Sequence, residues 1–105
     1  MGISIIVYND ENETKSFYLG SFSALFSQLN RSTLENMPVF GKLIDSSNNE
    51  DEFFIENEDL IKFMKEIVQL LNNSIYLSEN LKGSLEDFLS FFKDKKINSW
   101  KLSIA

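Results

Sequence analysis

Cysteine and histidine are both absent from the 105 residues. Without a thiolate or an imidazole there is no disulfide, no cysteine nucleophile, neither of the commonest zinc ligands and no side chain that ordinarily titrates near neutrality, so most catalytic and metal-site families are excluded. One proline and four scattered glycines leave no glycine-rich phosphate loop. Basic residues are scarce as well. Nine Lys and one Arg stand against sixteen carboxylates, giving a net charge of −6, a sign that repels a phosphate backbone and an anionic membrane surface. Neither direct nucleic-acid binding nor membrane binding is expected. No apolar run approaches the ~20 residues of a membrane span, and the opening Met1-Gly2-Ile3-Ser4-Ile5-Ile6 lacks the basic region of a secretory signal. The expectation is a cytoplasmic protein with no cofactor and no metal.

What is present is a large apolar complement. The chain is 43% apolar and has 10 Phe, 3 Tyr and 1 Trp, enough for one core and one domain spanning residues 1–105 without covalent staples. Residues 3–8 (ISIIVY) are β-branched and apolar on both faces, as a central strand requires, and residues 16–19 (SFYL) suit its hairpin partner across the polar turn 9–15. Ser21 is placed to cap a helix in which Phe22, Leu25, Phe26 and Leu29 share one face. Ser32-Thr33-Leu34-Glu35 has a capping-box pattern for a short turn that Pro38 ends. Val39–Ile44 (VFGKLI) reads as a short strand with Gly41 at a bulge, 45–52 as an acidic loop, and Phe53–Ile55 as a short strand or a buried bend.

Asn57 caps the best-supported helix, apolar at eight of the twelve positions 60–71, with Lys62, Lys65, Glu66 and Gln69 on its polar stripe. Gly83 and Ser84 precede a third helix with Leu85, Phe88, Leu89 and Phe92 inward and Lys93, Lys95 and Lys96 at its end. Trp100, Leu102 and Ile104 alternate with polar residues in a final strand. The fold class expected is α+β: a mostly antiparallel or mixed sheet of about four strands with two to three helices packed on one face.

Charge is distributed unevenly. Between residues 45 and 59 lie seven carboxylates, Asp45, Glu50, Asp51, Glu52, Glu56, Glu58 and Asp59, and no base; elsewhere nine acids face ten bases. Such a window is either a solvated loop running into a helix N-terminus or an electrostatic docking surface whose self-repulsion a basic partner relieves. Phe53 within it, with the Phe53-Phe54 and Phe91-Phe92 pairs generally, raises a second point. Such pairs are more often core than interface, but adjacent aromatics on one element cannot both point the same way, which leaves one of each pair able to reach the rim of a contact surface. A smaller acidic group, Asp10, Glu11 and Glu13, occupies the hairpin turn.

Asp45, Ser47, Asn49, Asp51 and Glu56 also fall at positions 1, 3, 5, 7 and 12 of an EF-hand-like loop. Position 6 is Glu50 where the turn needs Gly, so calcium is not expected. Paired carboxylates alone, without a cleft, are a poor basis for catalysis, and the chain is not expected to be an enzyme.

The segment Met37-Pro38-Val39-Phe40-Gly41-Lys42-Leu43-Ile44-Asp45, followed after the acidic loop by Leu60, Phe63, Glu66, Ile67, Leu70 and Leu71, resembles the small immunity proteins of bacterial contact-dependent and polymorphic toxin systems over about a third of the chain. The resemblance implies a cytosolic protein that binds a cognate toxin domain, often a basic nuclease, and covers its active site or substrate groove. The alternative from a different class is an acidic mimic of nucleic acid that blocks a DNA-binding protein. It would need carboxylates strung along a face instead of gathered in one window.

Overall fold

The computed structural model of the protein describes residues 2–29, 31–73 and 77–105, and for residues 22, 26, 31, 32 and 73 the backbone only. β1 (Gly2–Asn9) and β2 (Thr14–Ser21) form the expected hairpin. Its turn is built by Asn9, whose Oδ1 accepts from the backbone N–H of Glu11 and Glu13 at 3.0 Å each, and by Asn12 in the left-handed region, which Asn tolerates better than most residues. The register shifts between Ile3 and Ser4, opposite Gly20 at φ +120, a conformation that glycine adopts without strain.

β4 (Trp100–Ile104) joins the other side of β1, and β3 (Phe54–Glu56) pairs with β4. The sheet order is β2-β1-β4-β3 and every pairing is antiparallel. The two ends of the sequence therefore supply the two central strands. This agrees with the doubly apolar pattern of 3–8.

The helices are α1 (Phe22–Gln28), α2 (Arg31–Glu35), α3 (Pro38–Asn48), α4 (Asn57–Asn73) and α5 (Glu79–Phe92), with a 3₁₀ turn at Ile97–Ser99. The α+β class and the four-stranded sheet are as expected; the helices, five α-helices among the described residues, are more numerous. They pack on the face formed by Ile3, Ile5, Val7, Phe17, Leu19, Ile55 and Leu102. At the centre of that layer Phe63 of α4 stacks on Phe40 of α3 (centroids 5.5 Å apart) and meets Phe88 of α5 edge-on at 5.6 Å; Phe88 in turn meets Phe17 of β2 at 5.4 Å. Three helices and the sheet thus share one aromatic contact chain, each pair adding about 0.5–1.5 kcal/mol beyond area burial. No helix among the described residues is long and apolar enough to cross a membrane.

Ser21 caps α1 as its position suggests, accepting from the Ala24 N–H at 3.2 Å, and Leu25 and Leu29 are buried. The side chains of Phe22 and Phe26, assigned to the same face, lie outside the described residues, as does that of Ser32 in the capping box.

Three sequence expectations are corrected. Residues 39–44 are not a strand: they belong to α3, which continues through Asp45–Asn48, so the acidic loop is shorter than 45–52 and Gly41 sits inside a helix. Pro38 starts that helix at its first position, where no N–H is needed, instead of only ending the turn before it. The third helix begins at Glu79 and not after Gly83. Its cap is Ser78, whose Oγ accepts from the Leu81 N–H while its own N–H donates to Gln28 Oε1 of α1.

The cause of the first correction lies 26 residues away. Met37, at the N-cap, offers no side-chain acceptor. Instead Glu66 of α4, buried at 7% exposure, accepts from the Val39 N–H at 3.1 Å and the Phe40 N–H at 2.8 Å. With Met37 N–H donating to Leu34 O, and proline lacking an N–H, the donors that a helix start leaves orphaned are all matched. The periodicity of α4 puts Glu66 on its polar stripe, but in the fold it is a buried cap for the neighbouring helix.

Candidate protein-docking surface

All seven carboxylates of residues 45–59 are exposed, but the fold divides them. Asp45 is on the last turns of α3, on the wall of an open cleft of about 610 Å³ that it shares with Glu35 and Lys42. Glu50, Asp51 and Glu52 follow the helix end. That end is a Schellman-type closure: Asp51 N–H reaches Ser46 O at 2.8 Å, Glu50 N–H reaches Ser47 O at 3.3 Å, and Glu50 has φ 58 where glycine is usual. The closure turns the chain sharply and leaves the three side chains in solvent.

Glu52 and Glu56 flank Phe54 at period two, alternating with buried Phe53 and Ile55. Glu58 and Asp59 occupy the first turn of α4, where the helix dipole favours them. From residue 52 to residue 56 an extended chain covers about 13 Å. The window is therefore two groups at opposite ends of β3, with Asp45 apart, and not one patch. The calcium register fails for the same reason, since its first positions are helical and its last is in a strand. Among the described residues no three acidic side chains are grouped to hold a metal ion.

Strand direction brings in the second acidic group. β1 and β3 are each antiparallel to β4, hence parallel to one another, so both finish at the same end of the sheet. The hairpin tip bearing Asp10, Glu11 and Glu13 and the Glu56–Asp59 segment thus lie at that one end. Between them comes the start of β4, preceded by Lys95 and Lys96; a groove there is lined by tip carboxylates on one side and these lysines on the other.

Of the aromatic pairs, Phe53 was expected at a partner interface, and the structure places it in the core at 5% exposure; its neighbour Phe54 is 51% exposed. Period-two alternation decides this, because Ile55 and Phe53 point together toward the helices. Phe91 is half-buried, edge-on to Phe17, Phe92 and Trp100, with the Lys95 ammonium 4.2 Å above its ring.

Sequence reasoning missed Tyr18, 59% exposed, and the stripe of Ile61 and Val68 on α4, 40% and 44% exposed. Tyr18 was legible as the outward neighbour of Phe17 and Leu19 in β2. Ile61 and Val68 were absorbed into a helix whose apolar residues outnumber its polar ones. With Met64, Leu89 and Ile97 they line a shallow apolar groove. No family model matches this chain, and no curated protein and no solved structure matches it either.

Proposed function

We propose that this protein works by binding: a cytoplasmic immunity protein that neutralises a cognate bacterial toxin domain, a basic nuclease, by stoichiometric occlusion, and not an enzyme. The observation that carries the reading is a division of labour among carboxylates. Glu66 is buried and satisfies two backbone donors, whereas every acid of the 45–59 window is solvent-exposed, on the last turns of α3, the loop after it, the edge strand β3 or the start of α4. Exposed like charges repel one another and cost stability, and a basic partner reverses that cost while steering encounter. The resemblance to immunity proteins points the same way.

The test is genetic and then kinetic. The reading frame next to this one is expected to encode a larger protein whose C-terminal domain stops growth when expressed alone and is silenced when this chain is co-expressed. A neighbour that is harmless, or toxic with and without this chain, removes the proposal. With the domain in hand, reversing Glu50, Asp51 and Glu52 to Lys leaves folding intact and slows association by about tenfold or more. Raising salt weakens the wild-type on-rate in the same direction as the Debye length falls from about 10 Å at 0.1 M to about 3 Å at 1 M. The dissociation rate changes less.

The nucleic-acid-mimic reading gains one supporting observation: the carboxylates are spread over both ends of the sheet and the hairpin tip instead of being gathered in one place. A mimic displaces DNA from several unrelated basic proteins in competition assays; an immunity protein acts on one.

A further inference from the structure

The helix-free face of the sheet is a grid whose occupants follow from the register. One row across the four strands reads Phe54, Ser103, Ile6 and Ser16; the next reads Glu56, Lys101, Tyr8 and Thr14. The serines on either side of Ile6 are small, so the middle of that row carries little side-chain bulk beyond Ile6. Exposed aromatics stand at the two edges of the face: Phe54 on β3 and, one row along, Tyr18 on β2, whose ring lies over Gly2 where a Cβ would collide with it. Three strand spacings separate these edges, about 14 Å.

Carboxylates outnumber lysines around the face. The hairpin tip, Glu58 and Asp59 lie at one end, Glu50 to Glu52 at the other, and Glu56 on the face itself; the lysines nearest are Lys101, in register with Glu56, and Lys15, Lys95 and Lys96. A second copy of this chain would bring like charges together. A basic surface is complementary at both ends at once. The bare face alone, about 14 Å by 20 Å, covers roughly 300 Å², short of the ~800 Å² per partner of a stable complex, so the contact must extend over the acidic ends.

We infer that this face, with Phe54 as its anchor and the two acidic ends as its rim, is where a basic protein domain docks. The inference rests on the inhibitor reading above and names the surface it uses. The apolar groove of Ile61, Met64 and Val68 is the natural control, since it too presents apolar side chains to solvent yet has Lys65 in its wall and no carboxylate lining it.

Site-specific photocrosslinking in cells of the source organism separates the two faces. Benzoylphenylalanine placed at Phe54 or Tyr18 is expected to give an adduct with one domain, identified by mass spectrometry and basic in sequence, while the same group at Ile61 or Val68 gives none. Against that domain, purified, Phe54→Ala weakens binding at least tenfold and Ile61→Ala less than twofold, with circular dichroism of both variants unchanged. Adducts from the α4 positions alone, adducts with a second copy or with an acidic partner, or no adduct at all would overturn the inference. Failure of the underlying reading looks different. If the crosslinked basic domain is harmless when expressed alone, the docking face stands and the immunity function falls. A toxic domain neutralised through Ile61 and Val68 gives the converse.

Discussion

Ile5 and Ile6 are consecutive, identical in chemistry and carried by the same central strand, yet Ile5 is fully buried and Ile6 is only partly so. The difference is the sheet's two faces. On the Ile5 side helices complete a core in which Phe40, Phe63 and Phe88 are 0% exposed; on the Ile6 side Tyr18 and Phe54 meet solvent. Burial of a large apolar side chain contributes about 1.5–3 kcal/mol to stability, so one face holds the fold together and the other is free to change without unfolding it. An exposed aromatic on the free face is then available for a partner at little structural cost.

Substitutions on either side should break or sharpen that contrast. The largest effect is expected at the centre of the covered face: Phe63→Ala removes a ring packed against α3 and α5 and should lower unfolding free energy by about 3–5 kcal/mol, read as a fall in urea midpoint with unchanged slope. A midpoint that barely moves would mean the aromatic chain does not hold the helices together. Next comes Glu66→Ala, which strips two donors at the α3 N-terminus of their acceptor; a loss of about 1–3 kcal/mol is expected, with faster hydrogen exchange at the Val39 and Phe40 amides, and Glu66→Gln should recover part of it. Unchanged exchange at those two amides would remove the cap.

A smaller change of opposite sign is expected at Gly41. Its added Cβ would sit 3.5 Å from Leu34 O, an ordinary contact, within a helix. Gly41→Ala should therefore stabilise by roughly 0.5–1 kcal/mol, whereas at the bulge of a strand it would destabilise, so the thermal melt distinguishes helix from strand for this segment. The smallest effect belongs to the bare face: Phe54→Ala should shift stability by no more than about 0.5 kcal/mol, as surface substitutions do, while weakening partner binding at least tenfold. A loss of several kcal/mol there would show that Phe54 serves the fold.

The candidate surface was legible in part. The seven carboxylates are all exposed, as both a solvated loop and a docking surface require, and the rule that paired aromatics diverge holds for Phe53 and Phe54. Phe53 is core where an exposed position was expected, a matter of phase: in so short a strand the inward set is decided by which alternate residue reaches the helices, and Ile55 takes Phe53 inward with it. A second miss, the start of α5, arose because Gly83 resembles a separator. A helix interior tolerates one glycine at about 1 kcal/mol when a cap as good as Ser78 lies upstream.

Elements whose signals are local were determined by the sequence itself. The alternation of 100–104, the doubly apolar 3–8, the Ser21 cap and the long apolar face of 60–71 each state their conformation within a few residues, because period and capping are short-range properties. The conformation of Val39–Ile44 was left to tertiary structure. A six-residue segment of four apolar residues, a glycine and a lysine satisfies strand and helix equally, and the helix prevails because Glu66, on a different helix, supplies acceptors that the local sequence lacks. Tertiary structure alone also decided that one acidic window becomes two separated groups and that the hairpin tip joins one of them, since both follow from the order and direction of strands that pair across nearly the whole length of the chain.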